Sequence, residues 1–440
     1  MKTVNQNIKP LTAKRNSAGN LEIGGCDTVE LVQKYGTPLY VMDETTLRTM
    51  AREYKDAFKS YPNTNILYAS KALMTSAVAK IADSEGLGFD AVSGGEIHTI
   101  KNANVDMAKV VFNGNNKSVE ELNMALEVGV GRISADNFLE LDLLNEIAKS
   151  HNKVQKIFLR VTPGIECHTH EYIQTGHLDS KFGFDLTQTD EALELLRDEY
   201  SNLELVGLHA HIGSQIFETR VYNDEAEVLI KEIVRINAKY GLNLDELNLG
   251  GGLGITYTQS DNPPSTYTIA EVITESLKKN AQKYGIELPK IYIEPGRSMV
   301  GTAGVTLYTI GSSKQVPNGK KYIAVDGGMS DNARVITYGA VYSAEIANAK
   351  EDTELEKVTV AGRFCESGDI LIKEINLPNP ENGDILCVYN TGAYNYSMSS
   401  NYNCVPKPAM VLVNSAQSDM IVARETFAQL TQNDIIPDRL

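Results

Sequence analysis

No two of the five cysteines, Cys26, Cys167, Cys365, Cys387 and Cys404, form a C-x-x-C pair, and their number is odd. That excludes a disulfide framework and a structural zinc knot as first expectations; reduced thiols in a cytoplasm fit better. The sequence also lacks any apolar run near the roughly 18 residues of a membrane helix. Its opening, "MKTVNQNIKPLTAKRNSAGN", lacks the apolar stretch of a secretory leader. Positive charge is in short supply: 41 Lys and Arg against 57 Asp and Glu leave a formal −16 at pH 7. Such a balance speaks against nucleic acid or an anionic membrane as a partner. A cytoplasmic protein is expected. Repeats, low-complexity tracts and long flexible linkers are absent as well.

What is present is 440 residues, 42% hydrophobic and 22% charged, an ordinary globular composition. From about residue 45, short β-rich runs alternate with segments of helical period. The runs are "ILYASKA", "LGFDAVS", "VVFNG", "GRISAD", "KIFLRV", "LVGLHAHI", "ELNLGGG" and "KIYIEPG". Between them lie stretches such as "NFLELDLLNEIAKS", whose Phe138, Leu141, Leu144 and Ile147 share one helical stripe, with Asp136 or Asn137 as N-cap. Eight such units predict an α/β fold, a (β/α)8 barrel over residues 45–299. A doubly wound open sheet is the alternative, and no G-x-G-x-x-G follows the first run. Residues 300–440 read differently: strands such as "KKYIAVDGG", "KVTVAGRFC" and "DILCVYNTG" separated by Gly, Pro and Asn predict a mostly β domain. Residues 1–44 contain strand-like "NLEIGG" and "TPLYVMD", whose place the pattern leaves open.

In such barrels the active site lies where the strands end. The first run ends on Lys71, either a strand surfacing or a reactive amine at a pocket mouth. The second ends near Asp90, the sixth in "HAHIGSQ" with His209, His211 and Ser214, the seventh in "LGGGLG" with Gly251 and Gly252, and the eighth in "EPGR" with Glu294, Gly296 and Arg297. Glycine turns expose backbone N–H groups that bind phosphate. A strand-end lysine, a phosphate nest, a histidine and a carboxylate together suggest pyridoxal 5'-phosphate held through the lysine. A carboxylate, here Glu294, would keep the pyridine nitrogen protonated, which suits a decarboxylase.

Seven motifs in order, "YASKA", "HIGSQ", "LGGGLG", "EPGR", "VDGGM", "CESGD" and "SNYN", resemble the fold-type III pyridoxal-phosphate decarboxylases, the alanine-racemase-like barrel family, from about residue 30 to about residue 425. The resemblance implies that Lys71 carries the cofactor, His211 stacks on its ring and Glu294 meets its ring nitrogen. Asp90, Ser214, Gly251, Gly252, Gly296, Arg297 and Tyr394 would complete the cofactor's surroundings, with no metal. Arg334 and Tyr338 would clamp a distal carboxylate, helped by Arg297 and Tyr394, while Glu366 holds a distal amine. Cys365 would return a proton to the substrate, across the interface of a homodimer with shared sites. The implied β domain takes in the N-terminal segment. The implied reaction is decarboxylation of meso-2,6-diaminopimelate to L-lysine; ornithine, arginine, D-ornithine, D-lysine or carboxynorspermidine are alternatives. Leu73, Val335 in "RVITY" and Arg363 depart from the family's usual pattern, and these departures gather at the substrate end. "HTHEYIQTGHLDSKFGF" (168–184) matches an active-site loop rather than a metal site. A metal-dependent barrel hydrolase built on "HAH" is the reading from another class; its histidines fall late in the barrel.

Overall fold

The computed structural model describes residues 2–165, 180–349 and 354–440. It divides into two compact units: Met1–Gln6, Arg48–Ile255 and Asn262–Met299 form the first, and Asn7–Leu47, Thr256–Asp261 and Val300–Leu440 the second.

Eight parallel strands make the first unit: β1 (Thr64–Ala69), β2 (Gly88–Ala91), β3 (Val110–Phe112), β4 (Arg132–Ala135), β5 (Gln155–Thr162), β6 (Leu203–His209), β7 (Glu246–Asn248) and β8 (Lys290–Ile293). Each pairs with the next, β8 pairs with β1, and the sheet closes into the predicted barrel. The strands are buried almost throughout, as parallel strands covered by helices must be. Leu67, Val111, Phe158, Val206 and Tyr292 pack together as one cluster of strand side chains.

Local chemistry sets the helix boundaries. Asn137 takes the cap of Phe138–Ser150, accepting the Glu140 N–H at 3.0 Å. Leu141, Leu144 and Ile147 are buried as the stripe predicts. Glu140 is buried too, because Lys117 reaches it at 2.6 Å, a pairing that a hydrophobic pattern cannot reveal. The first strand stops earlier than "ILYASKA" suggests: Ser70–Ala72 is a single 3-10 turn. Tyr68 braces that turn through its hydroxyl, which donates to the Leu73 carbonyl. The histidine-bearing stretch read as a loop lies, up to residue 179, outside the described residues.

One nine-stranded sheet organises the second unit, with Leu39–Asp43 paired antiparallel to Gly304–Gln315 and parallel to Ala409–Asn414. Of the N-terminal residues, Asn7–Leu47 falls in this second unit, with "LYVMD" as an interior strand, whereas Met1–Gln6 falls in the first; Thr256–Asp261, expected in the barrel, also falls in the second. Leu39, Val41, Leu307, Cys387 and Val411 lie in its core. Among the described residues no helix is long and apolar enough to cross a membrane.

Candidate active site

Glu294 follows β8 and is buried, at 6% exposure. Its Oε1 accepts the Asn248 amide from the end of β7 at 2.6 Å and the Asn113 amide, just past β3, at 3.2 Å. The His209 Nε2, closing β6, stands 3.5 Å from its Oε2. Burial alone would raise the carboxyl's pKa; His209, Lys71 and Asn248 outweigh it, and the pKa is lowered. His209 is itself pushed toward the neutral form, chiefly by burial. It thus offers Glu294 a dipole, and its other nitrogen lies 2.7 Å from the Ser134 hydroxyl.

Asp90, ending β2, shares the Asn113 amide with Glu294. Burial and the Glu294 charge raise its pKa against the pull of Lys71. Two carboxyls bridged by one amide cannot both ionise cheaply. Glu294 carries the charge, and Asp90 is the first of the two to take a proton.

Lys71 is exposed while Ser70 and Ala72 beside it are buried. Its charge acts on Asp90, His209, His211 and Glu294, so the amine stands at the barrel mouth. The glycine turn after β7 is packed so closely that a Cβ on Gly251 would stand 2.1 Å from the Glu294 carbonyl oxygen. Gly252 has φ +112°, a conformation that side chains disfavour. His211 Nδ1 accepts the Gly251 N–H at 3.1 Å, which fixes the imidazole; burial first, then Lys71 and Arg160, keep it neutral. Arg297, following Gly296, donates to the Ser214 hydroxyl at 2.9 Å. The barrel mouth therefore brings together Lys71, Asp90, His211, Ser214, Gly251, Gly252, Glu294, Gly296 and Arg297.

Asn113, Ser134, Asn248 and Arg160 were not singled out from the sequence. Arg160 is buried, 3.8 Å from Asp136 and 4.3 Å over the Phe182 ring. The available signal was an arginine in the apolar run "KIFLRV", and amides at the ends of "VVFNG" and "ELN". Just past Asp90, Ser93 and Glu96 cap the next helix: Ser93 accepts the Glu96 N–H, and Glu96 accepts the Val92 N–H at 2.7 Å.

The other residues read from the sequence lie in the second unit. "RVITY" coils into a short helix, Arg334–Tyr338. The Arg334 guanidinium lies 5.0 Å from the centre of the Tyr338 ring and 4.9 Å from that of Tyr394. Its Nε is buried, with no hydrogen-bond acceptor among the described residues. Cys365 and Glu366 sit exposed on a turn built round buried Asp369, which accepts the Phe364 and Met329 N–H groups at 2.9 and 2.8 Å. The Tyr402 hydroxyl donates to Glu366.

The barrel residues fit pyridoxal phosphate on their own chemistry: a presented amine, a glycine cradle flanked by a hydroxyl and a guanidinium, and an ionised buried carboxylate. Among the described residues no group of three or more His, Cys, Asp or Glu side chains could hold a metal.

Residues 47–301 match the family model described as pyridoxal-dependent decarboxylase, pyridoxal binding domain. A diaminopimelate decarboxylase from Synechocystis sp. is 52% identical over 99% of this chain and 94% of its own. That of Bacillus subtilis is 47% identical over 96% and 97%. The chain belongs to the diaminopimelate decarboxylases. The cofactor of this pyridoxal-dependent family is pyridoxal 5'-phosphate. A crystal structure of a diaminopimelate decarboxylase from M. jannaschii in co-complex with L-lysine superposes with a TM-score of 0.92 at 34% identity, covering 98% of this chain and 99% of that one. The diaminopimelate decarboxylase fold thus extends over both units.

One buried group stands outside this network. Glu225, on the helix Arg220–Tyr240, is 1% exposed, and neither carboxyl oxygen has a hydrogen-bond partner among the described residues. Burial, then the charge on Glu294, raises its pKa well above the usual carboxylate range. In the folded chain it must keep its proton, whereas unfolded it ionises near the ordinary value. Stability contributed at this position is therefore lost as pH rises above the unfolded pKa. Glu225→Leu should raise unfolding stability at pH 7 by about 1–3 kcal/mol, with a smaller gain at pH 4. Urea midpoints at both pH values test this; equal gains would show that Glu225 is not held protonated.

Proposed function

We propose that the protein removes the carboxyl group at the D-configured centre of meso-2,6-diaminopimelate, giving L-lysine and carbon dioxide, as a cytoplasmic homodimer. The observation that carries this reading is Glu294: a buried carboxylate whose pKa is held down by His209, Lys71 and the Asn248 amide, at the mouth that holds Lys71. The bound cofactor supplies the electron sink for the pair left on the α-carbon when the carbon–carbon bond breaks.

Lys71 would hold the cofactor through its amine. Glu294 would face the ring nitrogen and favour its protonated form, His211 would lie on the ring face, and Asp90 acts with Glu294 through Asn113. Ser214, Gly251, Gly252, Gly296, Arg297 and Tyr394 take the phosphate and its surroundings. Once carbon dioxide has left, the Cys365 thiol delivers a proton to the α-carbon. Its exposed turn, with Glu366 beside it, is suited to reach the site of a second subunit.

Specificity falls to Arg334. Diaminopimelate keeps a second amino-acid end, and a planar guanidinium suits its carboxylate while Glu366 suits its ammonium. Two tyrosine rings hold the guanidinium, and its buried Nε has a donor to give. Ornithine or lysine would leave that donor unused. The M. jannaschii structure with L-lysine supports a site that accommodates this product.

Carbon dioxide release should be measured with meso-diaminopimelate beside L- and D-ornithine, L- and D-lysine, L-arginine and carboxynorspermidine. Strong preference for diaminopimelate supports the reading. Preference for another amino acid overturns the substrate and points to Leu73, Val335 and Arg363. Arg334→Ala should lower kcat/KM for diaminopimelate roughly 100-fold, as the loss of a charged bidentate contact does. A loss under threefold would place the distal carboxylate elsewhere.

A further inference from the structure

The first unit contains a second, separate concavity. It opens at the N-terminal ends of the barrel strands, opposite the ends that carry Lys71 and Glu294. Its volume is about 280 Å³, and Ile66, Leu67, Val111 and Tyr292 are among its lining. Four basic residues line it as well: Lys55, Lys109, Arg132 and Lys290. In a chain of net charge −16 that local sign is unusual.

The partners of these cations decide what the cavity can take. Arg132 spends its fork on Glu246, at 2.5 and 2.6 Å. Glu246 also accepts the Tyr292 hydroxyl at 3.1 Å and lies 3.4 Å from the Lys290 ammonium. Its two oxygens thus serve three residues, and Arg132 is the one best neutralised. Lys55 donates to the Glu85 carbonyl oxygen at 2.8 Å. The Glu85 carboxylate is occupied by Arg48 and Arg52, each at 2.8 Å. Lys109 pairs with Asp83 at 3.1 Å, and Lys80 stands 3.7 Å from the same carboxylate. Two carboxylates, Glu246 and Asp83, pair directly with the four lining cations; Glu204 and Asp245 add negative charge near Arg132 and Tyr292, but Lys156 stands 3.8 Å from Glu204, and Lys55 has only a carbonyl partner, so the positive excess rests on the lysines.

We propose that this cavity binds a small phosphate-bearing metabolite. Ammonium groups act as point charges that bind phosphate oxygens, whereas a carboxylate is best gripped by an arginine fork, and the fork here is spent. The volume lies just under the roughly 300–1,000 Å³ of small-molecule pockets. Leu67 and Tyr292 are themselves buried, and Arg132 and Lys290 lie over the Tyr292 ring, so the phosphate is the part of the ligand that the cavity grips. Because barrel chemistry belongs at the other end, the site is one of stabilisation or regulation, not a second active site.

The test is calorimetric titration of the cofactor-loaded enzyme, whose glycine turn is then filled, with inorganic phosphate. Chloride at matched ionic strength is the control, and citrate a parallel arm. Saturable phosphate binding is expected, weakened at least about tenfold in K55Q/K290Q. That variant should keep wild-type turnover and, without phosphate, the wild-type thermal midpoint. Heat no different from chloride, affinity retained in the variant, or citrate bound more tightly than phosphate would each overturn the proposal. None of these readouts depends on the amino acid the enzyme decarboxylates.

Discussion

Lys71→Ala should lower turnover by roughly 10⁴-fold or more, the scale on which covalent enzymes fail when the group that forms the bond is removed. The fold should survive. Lys71 is exposed on a one-turn 3-10 helix whose packing comes from buried Ser70, Ala72 and Leu73, and alanine replaces none of those contacts. Two readouts separate chemistry from structure. Hydride reduction followed by mass measurement should fix the cofactor to the wild-type chain and not to the variant. The thermal midpoint of the cofactor-free chain should stay where it was. Wild-type turnover in the variant would remove Lys71 from the reaction. Cofactor fixed to the variant would show that another lysine carries it, and Lys117 could not readily do so: its ammonium is buried against Glu140 and the Ser134 carbonyl.

The barrel was legible because each strand is a short apolar run closed by a turn signal, and because the helices that cover its outer face leave a 3.6-residue stripe. The motif residues at strand ends were legible as types: an amine, glycines and a carboxylate rarely serve packing at such positions. The support beneath them was not. Asn113 and Asn248 gave no signal of their own, since an amide at a strand end usually serves the backbone. Only the closed barrel shows that both aim at one oxygen of Glu294. His209 and His211, two residues apart, do different things: His209 stands by Glu294 and Ser134, and His211 accepts the Gly251 N–H. Buried pairs such as Lys117 with Glu140, and the orphan Glu225, break the hydrophobic pattern and cannot be inferred from it. The register of one strand end against its neighbour decides them, and that is a property of the closed sheet.

Glu294→Gln tests the electrostatic half of the argument. Glutamine is nearly isosteric, and its carbonyl oxygen can still accept the Asn248 and Asn113 amides. Its amide nitrogen would then face His209 Nε2, which must turn acceptor; His209 can do so by moving its proton to Nδ1, toward the Ser134 hydroxyl. The network therefore survives and only the charge is lost. A fall in kcat of about 10³ is expected, the size seen when one preorganised electrostatic partner is removed, with KM changed far less. The pH profile carries an independent signature. The Glu294 charge helps hold the Asp90 pKa up, so its removal should let Asp90 ionise at lower pH. An acid limb due to Asp90 should accordingly move downward in the variant, measured as kcat against pH. Glu294→Asp keeps the charge but withdraws it by one methylene from Asn248, and should fall between wild type and glutamine. Near-wild-type kcat in Glu294→Gln would mean that the ring nitrogen does not rely on this carboxylate. Loss of kcat with an unmoved acid limb would mean that Asp90 does not feel it, and that the amide of Asn113 separates the two carboxyls rather than coupling them.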